Sequence, residues 1–192
     1  MSHDTGGPRG SMGRDRLLAT ARELFTRHGA SNVGINDVTG AAGVARMTLY
    51  NNFASKDALT AAVYADMAQA TLQGLNAIDW PGRSDEDNIL AIFDHFDIAR
   101  NGSDYRGCPF IHASLQTAEA SGPIYAIVHS YKRSLREHIV HVLDEGRRNR
   151  AELADQIVLL LDGAVTEAYL RGVADPVTVA KRAAVTLLRA TQ

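Results

Sequence analysis

The chain has 192 residues, 45% hydrophobic and 22% charged, with a net charge of −2 and a single cysteine. That is enough chain to bury a sizeable core, but it holds no run approaching the roughly 18 unbroken apolar residues of a membrane span, and no apolar stretch follows the first residues as in a secretory signal. Cys108 has no partner for an internal disulfide, which fits a reducing cytoplasm.

Residues 1–12, MSHDTGGPRGSM, are polar and rich in Gly and Pro without periodicity. They read as a disordered tail, in which Gly10-Ser11 is either native or a fusion remnant ahead of a natural start at Met12. Leu17, Leu18, Ala21, Leu24 and Phe25 then recur at helical steps up to Gly29, which suits a left-handed C-terminal position. Val38, Ala41 and Ala42 predict a short second helix that starts near Gly34 to Asn36 and ends at Gly43. A third spans Arg46 to about Phe53, and Ser55 caps a long fourth that runs toward Gly74 or Ile78. Trp80-Pro81-Gly82 breaks the chain. Ser84 with Asp87 resembles a capping box for a helix to about Arg100. A shorter helix follows from Cys108 or Pro109 to Ala120, and Gly122-Pro123 opens a long one to about Gly146. The last two span Glu152 to Arg171 and, with Asp175 as cap, Pro176 to Ala190. No alternating pattern of any length occurs, so the class is all-α with about nine helices.

Charge divides along the same line. From Arg14 to Asp57 six basic residues stand against four acidic, and from Ala58 onward thirteen against seventeen. The sign is that of a head that meets phosphate on a body that does not.

Two short helices joined through Ala42-Gly43-Val44 fit a helix-turn-helix, whose second helix enters the major groove. Gly43 suits a tight turn that needs positive φ. Leu49 and Phe53, four apart, face the core and leave Arg46, Met47, Thr48, Tyr50, Asn51 and Asn52 on the outward sides. Arg46 suits guanine O6 and N7, Asn51 or Asn52 suits adenine, and Met47 a thymine methyl. The alternative for Arg46 and the two Asn is a solvated helix face.

The stretch GVARMTLYNNFASKDAL, preceded by INDVTGAA and a helix ending ELFTRHG, resembles the N-terminal DNA-binding region of the TetR family of transcriptional repressors. Gly43, Val44, Thr48, Leu49, Tyr50, Phe53, Ser55, Lys56 and Leu59 carry the resemblance. It implies a three-helix DNA-binding head over 13–58 and a larger helical domain for ligand binding and dimerisation over 59–192. Tyr50 and Lys56, with Thr48, resemble the family's phosphate contacts. The last two helices, IVLLLDGAVTEAYL and VAKRAAVTLLRA, have broad apolar faces and resemble the family's subunit interface. A two-fold dimer then implies a palindromic double-stranded operator. Two departures stand out. Ala45 replaces the usual Ser or Thr ahead of the recognition helix, omitting a cap of about 1 kcal/mol, and Gly40 lies inside the second helix at a cost of up to about 1 kcal/mol.

In the body, Phe93, Phe96, Phe110, Ile111, Leu115, Tyr125 and Val128 are candidates to line a pocket for an apolar or aromatic effector, with His95, His112, His129 and Tyr169 as polar anchors. Each is also an ordinary core or surface residue type. The expected function is a homodimeric, ligand-responsive, cytoplasmic repressor with no cofactor and no catalytic activity. Its rivals are a helical ligand-binding module without DNA affinity, and a thiol or metal enzyme using Cys108 with His112, or His138 with His141.

Overall fold

A computed structural model describes residues 8–78, 82–100, 106–116, 122–173 and 175–190, and among these every regular element is a helix. In chain order they are α1 (Pro8–His28), a 3-10 turn (Ala30–Asn32), α2 (Ile35–Ala42), α3 (Arg46–Asn52), α4 (Lys56–Asn76), α5 (Asp85–Arg100), α6 (Pro109–Gln116), α7 (Pro123–Val142), α8 (Arg150–Arg171) and α9 (Asp175–Ala190).

In the head, Leu17, Ala21 and Phe25 of α1 form one buried stripe against Val38 and Ala42 of α2 and Leu49 and Phe53 at α3. The turn between α2 and α3 closes on Gly43, which is left-handed at φ 62° and ψ 38°. The Val44 N–H donates to the Thr39 carbonyl at 3.1 Å, and Arg16 of α1 donates its guanidinium to the Ala42 carbonyl. α1 therefore holds the turn directly. Asp37 accepts the Gly34 N–H at 2.7 Å, so α2 has an N-terminal cap that reaches back from inside the helix. α3 has none: Ala45 occupies the cap position in extended backbone with no side-chain partner. Ser55 accepts the Ala58 N–H at 3.1 Å and opens α4.

Several expected boundaries move. α1 begins at Pro8, so residues 8–12 are helical and not a disordered tail, while residues 1–7 lie outside the described residues. Pro fits the first turn because its fixed φ is already helical. The 3-10 turn over Ala30–Asn32, which buries Ala30, was not anticipated. At Ser84 the capping box is one-sided: Asp87 donates its N–H to the hydroxyl, and its carboxylate accepts from that same hydroxyl at 2.7 Å. α6 is described to Gln116, and the expected extension to Ala120 lies outside the described residues, as does the Trp80-Pro81 break. α7 stops at Val142, before the expected Gly146, because Leu143 turns extended and packs into the core at 2% exposure. α8 begins at Arg150, two residues early, after Asn149 in the left-handed region at φ 58°. Asp175 is the first residue of α9 and not its cap.

In the body, Leu75, Ile89, Ile92, Phe93, Leu135, Ile139, Leu153 and Ile157 are fully buried where α4, α5, α7 and α8 meet. Arg147, in the α7–α8 connection, pairs with Asp85 at the start of α5 and donates to the Leu188 carbonyl near the end of α9. Both side chains of that pair are nearly buried, 8% and 13% exposed. Burial alone would raise the Asp85 carboxyl, but the Arg147 hydrogen bond and charge outweigh it and hold the group below the usual carboxylate range.

Two outcomes follow. Ala45→Ser supplies the missing cap on backbone already extended for it, and raises the urea midpoint by an amount worth about 0.5–1 kcal/mol with unchanged m-value. Asp85→Asn leaves Arg147 without its counter-charge and costs about 2–3 kcal/mol at neutral pH. A lowered carboxyl contributes fully above its unfolded pKa and loses that contribution as pH falls through the folded one. The gap between wild type and Asp85→Asn, measured by denaturation across pH, therefore closes below the ordinary carboxylate range.

Candidate DNA-recognition surface and interior cavity

α3 presents Arg46, Met47, Tyr50 and Asn51 to solvent, with Met47 68% and Tyr50 41% exposed. Thr48, Asn52 and Lys56 are half-buried. Of the two asparagines only Asn51 stands clear, because Asn52 donates its amide to the Thr48 carbonyl of its own helix at 2.7 Å. Arg46 lies over Tyr50, with its guanidinium 5.6 Å from the ring centroid and 3.3 Å from the hydroxyl. That contact holds a guanidinium and a phenol one helical turn apart on the outer face. The start of α1 runs close beneath: a Cβ built on Gly13 would come within 3.3 Å of the Thr48 methyl. Glycine there lets α1 pass under the recognition helix.

Between head and body lies a cavity of about 600 Å³, within the usual range for small-molecule sites. The head itself forms one wall, through Phe25, Thr26, His28 and Gly29 at the end of α1. α4 adds Tyr64, Met67 and Thr71, α5 adds His95 and Phe96, and α6 with the residues before it adds Arg106, Cys108, Phe110 and His112. Tyr131, Lys132 and Leu135 of α7 and Leu161, Asp162, Val165 and Tyr169 of α8 complete it. The rings interlock: Phe110 stacks on Tyr131 at 4.0 Å and 23°, and also meets Tyr64 at 6.2 Å. Phe96 stands edge-on to His95, and Tyr169 to His112.

Of the expected ligand residues, Phe96, Phe110, His112 and Tyr169, along with the anchor His95, lie on this wall. Phe93 does not: it is fully buried behind it. Tyr125 and His129 do not either, being exposed on the outer face of α7 and ring to ring with each other at 6.0 Å. Val128, Tyr131, Leu135, Ile139 and Val142 take the inner face of α7, and Tyr125 and His129 fall outside that stripe. Leu115 is 79% exposed and Val128 is core. Sequence reading missed Tyr64, Tyr131, Lys132 and Asp162. Two signals were available: the four-residue steps Tyr131, Leu135, Ile139, and a lone carboxylate, Asp162, within an otherwise apolar run.

Lys132 donates to Asp162 across the wall between α7 and α8. Burial pushes the Cys108 thiol up, with Asp162 adding to the shift and Lys132 only partly opposing it. Burial likewise raises the Tyr64 and Tyr131 phenols, aided by Cys108, so that both stay protonated. It also lowers His95, which is therefore neutral at pH 7. Among the described residues, no three His, Cys, Asp or Glu side chains are arranged to hold a metal ion; His138 is half-buried and His141 exposed. No described helix is long and apolar enough to cross a membrane. On the far side of the body, α8 and α9 expose Leu159, Leu170 and Val179 at 72%, 68% and 52%.

Residues 17–63 match the family model of the bacterial regulatory proteins of the tetR family. Among curated proteins, an uncharacterized HTH-type transcriptional regulator of Mycobacterium tuberculosis (strain H37Rv) is 41% identical over 54 residues, 28% of this chain and 27% of that one. The match thus spans about a quarter of the relative's length. Over nearly the whole chain, the fold is similar to that of a TetR-family transcriptional regulator from Streptomyces coelicolor, with TM-score 0.85, 23% identity and coverage of 94% of this chain and 96% of that one. A TetR transcriptional regulator from Chloroflexus aurantiacus gives TM-score 0.79 at 25% identity, with 94% and 96% covered.

A raised thiol leaves little thiolate, which is the nucleophilic form. Cys108 in the folded protein is therefore expected to alkylate with iodoacetamide at pH 7.5 at least about tenfold more slowly than in the denatured chain. A folded-state rate equal to or above the denatured one would restore a reactive-thiol role.

Proposed function

The chain belongs to the TetR family of bacterial transcriptional regulators, and from that premise we propose that it is a ligand-responsive repressor that binds a palindromic operator as a homodimer. The observation that carries the proposal is the position of the cavity: the end of α1 and the middle of α4 form its wall, and α1, which packs along α4, also holds α2 and α3 from beneath. Residues 13–58 act as the DNA-binding head and 59–192 as the ligand-binding and dimerising body.

In this reading Tyr50, Lys56 and Thr48 contact phosphate and set the register. Arg46 pairs with guanine, Asn51 with adenine, and Met47 meets a thymine methyl. The outer face of α8 and α9 supports self-association, because Leu159, Leu170 and Val179 stand uncovered there. A two-fold dimer through that face places two copies of α3 about one DNA turn, roughly 34 Å, apart.

An effector that fills the cavity touches Phe25 and Thr26 on one side and Tyr64, Met67 and Thr71 on another. It therefore prefers whichever tilt of the head best closes those contacts. If that tilt is wrong for the operator, binding weakens by no more than the effector's preference between the two states. Release of DNA is then a population shift with no catalytic step.

Selection of bound duplexes from a random pool tests the proposal. An enriched inverted repeat is expected, with affinity that falls steeply with salt. Lys56→Ala lowers the log–log salt slope by about two in a dimer, since each neutralised phosphate contributes about 0.9, while Tyr50→Ala weakens binding with the slope unchanged. A folded dimer that enriches no sequence would refute the repressor.

A further inference from the structure

The cavity's own charges narrow what it takes. Among the described residues, four side chains on its wall carry formal charge at neutral pH: Arg22, Arg106, Lys132 and Asp162. Lys132 and Asp162 neutralise one another. Arg22 is drawn outward to Asp66 at 3.5 Å, where both side chains are about half exposed. Arg106 remains: among the described residues no carboxylate pairs with it. The wall therefore carries a surplus of positive charge centred on one guanidinium, beside stacked rings of Phe110 and Tyr131.

The geometry points to a planar aromatic carboxylate as the effector, its ring system against Phe110, Tyr131 and Phe96 and its anionic group drawn to Arg106. An aromatic face gains by offset stacking on those rings, and a carboxylate matches a guanidinium fork in two parallel hydrogen bonds. Tyr64 and Tyr131 line the same space as protonated phenols, which can donate to an anionic oxygen but have no charge to repel it. An aromatic ring bearing an alkylammonium group fits poorly. Among the described residues the one carboxylate on the wall, Asp162, is already held by Lys132, so a cation meets like charge without a free partner. A neutral aromatic fills the volume and leaves Arg106 unmatched.

The inference rests on the effector reading above, and the test separates the two. Calorimetric titration of the full chain uses three probes of one shape: 2-naphthoate, 2-naphthamide and 2-naphthylmethylammonium. The carboxylate is expected to bind at least tenfold tighter than the amide, and the ammonium weakest. Arg106 is exposed, so Arg106→Gln folds normally; it brings the carboxylate to the affinity of the amide and leaves the amide unchanged. Equal affinity for acid and amide, an acid affinity that Arg106→Gln does not move, or no binding by any probe each overturns the assignment. Operator affinity is measured on the same preparations with and without 2-naphthoate. Intact operator binding with no acid preference sinks the ligand class alone. Acid preference without any change in operator affinity keeps the ligand class and removes the effector role.

Discussion

Helix α4 is the member on which both halves of the molecule depend. It starts at Ser55, directly after the recognition helix, and its first turns bury Leu59 and Val63 in the head. Its middle gives Tyr64, Met67 and Thr71 to the cavity, and its end buries Leu75 against the body. Because close-packed cores do not deform gradually, a shift at the middle of such a helix is carried to both ends. The head cannot swing on α4 alone, however. Arg16 of α1 grips the Ala42 carbonyl at the turn, and Phe25 lies both in the head core and on the cavity wall. α1 therefore couples the turn to α4, and the cavity lies between these two helices and α5 to α8.

A gap of about 600 Å³ between packed helices is a loss of contacts that the rest of the core has to offset. The residues around it show how. Arg147 clips α5, the α7–α8 connection and α9 together well away from the cavity, and Lys181 and Arg189 tie α9 to Asp94 and Glu86 of α5. These contacts join α5, the α7–α8 connection and α9 through residues that do not line the cavity. Inside, the Lys132–Asp162 pair contributes little net stability, since two desolvated charges about cancel their attraction. Its consequence is electrostatic: it occupies the one carboxylate that the described residues place on the wall, which would otherwise favour a cation. Any occupant stabilises the fold in proportion to its affinity, which makes thermal stability a readout of occupancy as well as of folding.

The head was legible in the sequence because its determinants are local. Leu49 and Phe53 lie four apart, Gly43 sits at a left-handed turn, and Ser55 is a side-chain cap, all between residues 43 and 55. The start of α1 was not, because PRGSMG has the composition of a tail and carries no apolar period that marks a helix. The body was legible as helices but not as faces. Several apolar stripes are possible on a long helix, and which one points inward is set by neighbours distant in sequence. That is why the sequence offers Tyr125 and His129 for the cavity while Tyr131 and Lys132, further along α7, line it. Asp162 was passed over because a carboxylate in an apolar run reads as an interruption until Lys132 is seen across from it.

The uncovered stripe on α8 completes the mechanical picture. Leu159, Gly163, Thr166 and Leu170 recur at steps of four, three and four, all exposed, on the face opposite the buried Leu161, Ala164, Val165 and Ala168. A Cβ built on Gly163 would meet nothing within 4 Å, so the glycine is not required by this chain's own packing. In the proposed dimer that flat stripe receives the same stripe of a second copy, and the body becomes a fixed platform shared by two heads. The platform matters because an operator responds to the separation between two recognition helices. With α8 immobilised on its outer side by the partner, a ligand pressing on the inner side of α8 through Val165 and Tyr169 has no recoil available there. The displacement is taken up at the opposite wall, which is α1 and α4, and so at the head.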